Sequence, residues 1–345
     1  MITINVMDAN FERKAVINTY LSLTWEEDYK DKGGFRLSMG DEAAQIADIG
    51  DYLVITGVPT AMIILSKEII SNLRQVLFSG FTTLYILSKR IAREQVAVTG
   101  AEAGIRKLIG DNLRGLSNFA LSGAKGFADT FEMTYQWIEV LEAITEIVKN
   151  TTFGMRMLYD RIDKRHVFDL YQGLDRSAGQ SVNTRAFFGE EFKNIYNLRI
   201  NDDTANFKNY AYVTGGDEEN PVVVEVGTAT GNDRYEVFVS GADVKLEDNE
   251  DYNSQAYKNR LRDKGVTALS DYIRRQNFEI EVDPEDYGIK YSMGDTISCK
   301  STRYGVQLSA KIMKRAIIIE NNTKKIELTV GDAKLDAIGE IKLWS

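Results

Sequence analysis

The sequence predicts an α+β chain that is mainly β, with two barrel-like β regions, a small α+β unit between them and a further helix before the C-terminal strands. Three observations predict it. Residues 1–90 are built from short segments rich in β-branched and aromatic residues, the pattern of half-buried strands. From residue 101 the apolar period lengthens to that of a helix. The chain has only 3 prolines against 27 glycines, so its turns are glycine turns and no proline-rich linker separates its units.

Strands are expected at residues 2–6, 16–25, 35–39, 52–56, 61–66 and 82–87, each bounded by Gly or Asp. Several short strands at such spacing point to a barrel or sandwich. Ile105, Leu108, Ile109 and Leu113 then recur at helical spacing, with Gly115 as the stop. A strand at 130–135 follows, and a second helix runs from about Trp137, with Trp137, Leu141, Ile144 and Val148 on one stripe. Phe153, Met155, Met157 and Tyr159 alternate as one strand.

From His166 to Val239 strands return between turns at Gly173, Gly189, Gly215 with Gly216, and Gly231 with Asn232. A third helix is expected at about 254–275, its apolar face holding Tyr257, Leu261, Leu269, Tyr272 and Ile273. Strands at 278–282, 296–301, 306–320 and 325–330 close the chain. The division is therefore residues 1–98, a first β-barrel-like domain; 99–165, an α+β domain; 166–250, strands of a second β domain; and 251–345, the helix and C-terminal strands that complete the second barrel.

Charge narrows the function. The 42 Lys+Arg and 51 Asp+Glu give a net charge of −9, the wrong sign for holding a phosphate backbone or an anionic membrane surface. The acidity is spread: residues 1–150 hold 15 basic and 19 acidic side chains, the remainder 27 and 32. No signal peptide or transit peptide is visible at the N-terminus. The most apolar stretch, 52–65, contains Gly57 and Pro59 and is too short to span a bilayer. Stable nucleic-acid binding and membrane insertion by this chain are thus not expected, and synthesis in a reducing cytoplasm fits a single cysteine.

One histidine, His166, and one cysteine, Cys299, exclude a His pair, a Cys/His metal site and an internal disulfide. His166 lies at the edge of a strand without a nucleophile elbow and reads as a surface or interface histidine. Cys299 alternates with Ile297 and reads as a small buried side chain. The acidic groups Asp202 and Asp203, Asp217 to Glu219, Glu247 to Asp251, and Asp283 with Glu285 and Asp286 leave a glycan hydrolase with paired carboxylates as an alternative. The 247–251 run lacks the spacing and central glycine of a calcium loop and reads as solvated. Segment 115–126 has Gly and Lys but no phosphate-loop spacing, and it follows a helix instead of opening one. Lys258, Arg260, Arg262, Lys264, Arg274 and Arg275 form a basic patch without interleaved stacking aromatics and read as an intersubunit salt-bridge surface. No residue is assigned to catalysis, a cofactor or a metal.

Four sets of segments together carry a family resemblance. The first is Leu23, Thr24 and Trp25, then Tyr29, then Gly34, Phe35, Arg36 and Leu37. The second is Lys89, Arg90 and Ile91, followed by the helix from Gly100, Ala101 and Glu102 through Leu113. The third is Tyr171, Gln172, Gly173, Leu174, Asp175, Arg176 and Ser177, then Ala186 to Gly189 with Asn194, then Tyr210 to Gly216. The fourth is Tyr291, Ser292, Met293, Gly294, Asp295, Thr296 and Ile297, with the long strand 306–320 and a closing strand ending at Gly331. In this order the chain resembles the bacteriophage tail or baseplate hub proteins. These are the siphovirus-type hub or tail-lysin N-terminal family, related to the baseplate hubs of contractile phages, R-type bacteriocins and type VI secretion spikes.

The resemblance implies a structural component of the virion tail tip or baseplate. The two barrel-like regions would be tube domains. Three chains would form a homotrimeric ring between the sixfold tail tube and a threefold central spike or fibre. Partners implied are a tail tube or distal tail protein, the spike or fibre, and the tape measure protein. Many relatives continue into peptidase, muramidase or receptor-binding modules, whereas this sequence ends at Trp344 and Ser345; the expectation is a chain that is not an enzyme. A carbohydrate-binding host-adhesion module is a further alternative. If the ring lines a DNA-conducting channel, its carboxylates are expected to face the lumen and repel phosphates.

Overall fold

Seven strands lead the chain in the computed structural model, which describes residues 2–320 and 323–331. They are β1 (Ile4–Met7), β2 (Arg13–Ile17), β3 (Ser22–Asp28), β4 (Gly34–Gly40), β5 (Tyr52–Ile55), β6 (Ala61–Ile70) and β7 (Gln75–Thr82). Alternation produces them: Phe35, Leu37 and Met39 of β4 are buried and the residues between them are not. The segment 16–25 is two strands rather than one. The chain turns at 18–21, where the Leu21 amide donates to the Ser38 carbonyl at 2.8 Å. The expected strand at 82–87 is mostly a 3-10 helix, Thr83–Lys89, with Leu84 and Leu87 in the core. Those two residues are three apart and share one face of such a helix.

The middle of the chain contains β8 (Ile91–Ala92), β9 (Val96–Gly100), α1 (Ala101–Asn112), β10 (Phe119–Leu121), β11 (Thr130–Tyr135), β12 (Ile138–Glu139), α2 (Val140–Lys149), β13 (Gly154–Asp160) and β14 (Arg165–Tyr171). Ile105, Leu108, Ile144, Val148, Phe153, Met157 and Phe168 meet in one core. β13 and β14 pair antiparallel and β10 adds to β14 in parallel. Leu141, Ile144 and Val148 face inward as the spacing predicts. Trp137 does not join them: it precedes α2 with φ +58° and is 68% exposed.

The remainder comprises β15 (Phe187–Phe188), β16 (Ile195–Asp203), β17 (Tyr210–Gly216), β18 (Pro221–Val226), β19 (Glu236–Ser240), α3 (Gln255–Ser270), β20 (Arg275–Val282), β21 (Thr296–Ser301), β22 (Val306–Glu320) and β23 (Thr323–Gly331). The Ser254 side chain caps α3 by accepting the Tyr257 amide at 3.0 Å, which satisfies one otherwise orphaned donor. Tyr257 and Leu261 then pack on Val213, Val222 and Val224, so α3 covers the separate sheet β18-β17-β19. Tyr272 and Ile273 lie beyond the end of α3.

The largest sheet has 13 strands, its main path running β16-β20-β23-β22-β3-β4-β7-β6-β5-β1-β2, with β21 and β15 attached through β22. Its two ends are different strands, so the sheet is open. Strands of both β regions read as barrel-like share this sheet, β1–β7 from the first and β15, β16 and β20–β23 from the second, joined where β22 pairs β3, with Ile317 opposite Trp25 and Ile319 opposite Leu23. Ile317 and Ile319 complete the first core beside Trp25, Leu37 and Phe78. A second core gathers Tyr29, Phe278, Ile280, Tyr291, Ile297, Ile312 and Leu328. Among the described residues no helix is long and apolar enough to cross a membrane. Trp344 and Ser345 lie outside the described residues.

Candidate functional site

Segments from three of the four signature sets meet at one buried junction. Tyr29, just after β3, is fully buried. Its Oη donates to the carbonyls of Tyr171 at 3.2 Å and Thr152 at 3.3 Å, and its ring meets Tyr171 edge to face at 5.2 Å. Gly294 has φ +83°, and a Cβ there would stand 2.3 Å from the Tyr29 ring. At Gly173 a Cβ would stand 2.1 Å from the backbone carbon of Gly294. Only glycine permits these approaches.

Asp295, 3% exposed, binds the segments together. Its carboxylate accepts from the amide of Leu174 at 2.7 Å, the Nε of Arg176 at 2.8 Å and the amide of Ser292 at 2.9 Å. The backbone continues the zipper: Thr296 donates to Leu174, and Arg176 donates to Thr296. Ala186 to Gly189 extends it, with Phe187 and Phe188 paired in parallel to Ser298 and Cys299. Segment 210–216 lies apart, as β17 under α3.

The second set builds a different lock. Arg90 Nε donates to the Leu113 carbonyl at 3.1 Å, capping the end of α1. Glu102 accepts from three successive amides, Lys125 at 2.7 Å, Gly126 at 2.8 Å and Phe127 at 2.9 Å, and from Arg106 Nε at 3.1 Å. Burial alone would raise its pKa, but these donors hold the carboxyl below its ordinary value. The segment that superficially suggests a phosphate loop is therefore a backbone nest filled by the chain's own carboxylate. Lys30 ties the β3–β4 turn to this unit by donating to the carbonyls of Val148, Thr151 and Phe153 at 2.8, 2.7 and 2.6 Å.

The acidic groups named from sequence serve separate local roles. Asp202 receives Arg274 through both oxygens at 2.7 and 2.6 Å, and this partner, with Gln276, pulls its pKa to about 2. Asp217 accepts the amides of Glu219 and Asn220 in a turn. Glu250 is buried against Arg260, and Glu247 lies 3.6 Å from the same guanidinium. The 247–251 run is thus partly an interior ion pair and not wholly solvated. Arg260 is 5% exposed and Lys264 pairs with Asp243 at 2.6 Å, so these two members of the basic patch are neutralised within the chain.

His166 is not on the surface. It is 3% exposed, among Tyr52 at 4.8 Å, Phe11 at 4.9 Å and Tyr159 at 6.1 Å, and burial lowers its pKa to about 3. Cys299 is buried, with its thiol pushed up to about 12. Among the described residues no three His, Cys, Asp or Glu side chains gather as a metal site.

A cleft of about 640 Å³ opens at the junction, lined by carboxylates Glu27, Asp28, Asp31 and Asp295, by Arg156, Arg176 and Arg315, and by apolar residues including Met157 and Ile317. Its charges are largely committed: Glu27 pairs with Arg315, Asp28 lies 3.7 Å from Lys314, and Asp295 holds Arg176. Burial raises Asp28 to about 6 despite Lys314. None of the acidic residues singled out as paired-carboxylate candidates lines this cleft. Glu27 and Arg315, which the sequence reading missed, are separated by nearly the whole chain and gave no local signal.

The fold has clear relatives among solved structures. The tail protein from Neisseria meningitidis MC58 superposes with a TM-score of 0.61 at 15% identity, covering 96% of each chain. The prophage MuSo2 43 kDa tail protein from Shewanella oneidensis gives 0.60 at 9% identity, covering 96% of this chain and 98% of that one. The prophage tail protein gp18 from Listeria monocytogenes EGD-e gives 0.56 at 11%, covering 97% and 95%. No curated protein matches the chain by sequence. A family model described as the siphovirus ReqiPepy6 Gp37-like protein matches residues 3–332. With residues 3–332 matched by that model and a mainly β fold shared with solved phage tail proteins, the chain belongs to the siphovirus ReqiPepy6 Gp37-like family.

Proposed function

We propose that this chain is the structural hub of a phage tail or phage-like contractile particle. Three copies form a ring that adapts the sixfold tail tube to a threefold central spike or fibre and lines part of the central channel. The observation that carries this reading is the 13-stranded sheet, assembled from two distant parts of the chain and left open at β2 and β16. Each chain supplies two β units, residues 1–98 and 166–345, so three chains supply six. Unpaired sheet edges invite pairing with another chain, and pairing of one edge with a different edge on the next copy gives the head-to-tail contact that closes a ring.

In this reading the barrel-like tube forms between copies rather than within one. The neighbours are a tail tube or distal tail protein above, the spike or fibre below and the tape measure protein in the channel. The net charge of −9 keeps DNA from adhering as it passes. The role is structural and not enzymatic.

Native mass measurement of the purified chain, alone and with its tail tube protein, tests the reading. A trimer, or co-assembly in threes on the tube, is expected, with no turnover of bacterial cell-wall glycan. A monomer that never joins the tube contradicts the hub, and glycan hydrolysis by the chain alone favours the hydrolase alternative.

A further inference from the structure

Trp137 combines two costs that a chain rarely bears together. Its indole is 68% exposed, and its backbone stands at φ +58°, a conformation unusual for a bulky residue. Strain kept at an exposed aromatic is a reason to look for a contact. The Trp137 amide donates to the Ala92 carbonyl at 2.6 Å, which fixes it beside Ile91, 43% exposed, and the exposed Arg93. Arg114 Nη2 donates to the Ile91 carbonyl at 2.7 Å. Arg93 pairs with Glu94 at 2.9 Å, and Lys89, Arg90 and Arg114 against Glu139 leave the segment with an excess of cations, a basic setting on an acidic chain.

The loop between β20 and β21 has the opposite character. Ile289 is 80% exposed, and Asp283, Glu285 and Asp286 surround it in sequence against one cation, Lys290, which pairs with Asp286 at 2.8 Å. The two features lie on different parts of the chain: an apolar centre with a basic rim and an apolar centre with an acidic rim. A heterologous contact between identical copies requires two such dissimilar, complementary surfaces. Tryptophan at the centre with charges at the rim is the anatomy of an energetic hot spot.

We propose that, in the ring inferred above and resting on that reading, the Trp137–Ile91 patch of one copy docks on the Ile289 loop of the next. The occupant of each surface is a second copy of this chain.

Sedimentation or native mass measurement over a dilution series tests the contact. Trp137→Gly relieves the positive φ, so the variant melts no lower than the wild type, yet its self-association weakens at least tenfold. Arg93→Glu weakens association similarly, and adding Glu285→Arg restores it. Raising salt weakens the wild-type contact. A wild-type trimer indifferent to Trp137→Gly, or an Arg93→Glu defect that Glu285→Arg leaves unrepaired, overturns this contact alone. A wild-type chain that stays monomeric even with its tube partner overturns the ring itself.

Discussion

The ring of Tyr29 occupies the space that any side chain at Gly294 would need, with a Cβ at 294 only 2.3 Å from Tyr29 Cε2. This approach joins two signature segments far apart in sequence. Gly294→Ala forces both an overpacked core and a non-glycine residue at φ +83°, and is expected to destabilise the chain by about 2–4 kcal/mol. Urea unfolding checks this. An unchanged midpoint would show that the junction yields and does not set the fold.

Asp295 should be the costliest carboxylate to remove. Asp295→Ala orphans the Leu174 and Ser292 amides and leaves Arg176 without its buried anion, at about 3–5 kcal/mol. The Asp202–Arg274 pair is bidentate but exposed, so Asp202→Ala is expected to leave the melting temperature nearly unchanged. Equal effects from the two substitutions would contradict the weight given to burial.

Glu102 makes stability depend on acid. Its folded pKa lies below the ordinary 4.5 because the Lys125, Phe127 and Gly126 amides and Arg106 offset the burial that raises it. The contribution is therefore fully present above 4.5 and lost as pH falls through the lower folded value. Glu102→Gln is expected to be less stable at neutral pH, by about 1–3 kcal/mol, with the gap to wild type closing in strong acid. A gap that stays constant to pH 2 would deny the carboxylate this role.

His166 acts in a higher window. Burial lowers its folded pKa from 6.5 to about 3, so the folded state resists protonation, and stability is full above 6.5 and declines as pH falls toward 3. At pH 4.5 the loss amounts to about 2–3 kcal/mol. His166→Phe suits the aromatic surroundings of Phe11, Tyr52 and Tyr159 and removes the titration, so its stability should decline less than the wild type's between pH 6.5 and 4.5. Parallel declines would contradict this, as measured by denaturant midpoints at each pH.

Much of the fold was legible where one face of an element is buried. β4 alternates and α2 carries its stripe because each has a single core side, whereas β22 sends Ile312 into one core and Ile317 and Ile319 into another. Residues 82–87 misled because a short continuous apolar run has no period to distinguish strand from helix. Trp137 misled because an apolar residue at the right spacing need not lie on the helix. The join of β22 to β3 depends on pairing across nearly the whole chain, which no local pattern reports. The junction was legible only as motifs: the glycines and Asp295 were visible, while their convergence on Tyr29 was not. Charge runs looked solvated because sequence does not reveal that Arg260 lies against Glu250 in the interior.

In the proposed assembly this chain closes a ring on the end of a tail tube. Electron microscopy of the purified chain assembled with its tube protein measures that directly. An annular density of three copies, each 38.9 kDa, is expected, with six similar β units facing the tube and threefold symmetry on the opposite side. Particles with one copy, or a ring whose symmetry is not a multiple of three, would contradict it.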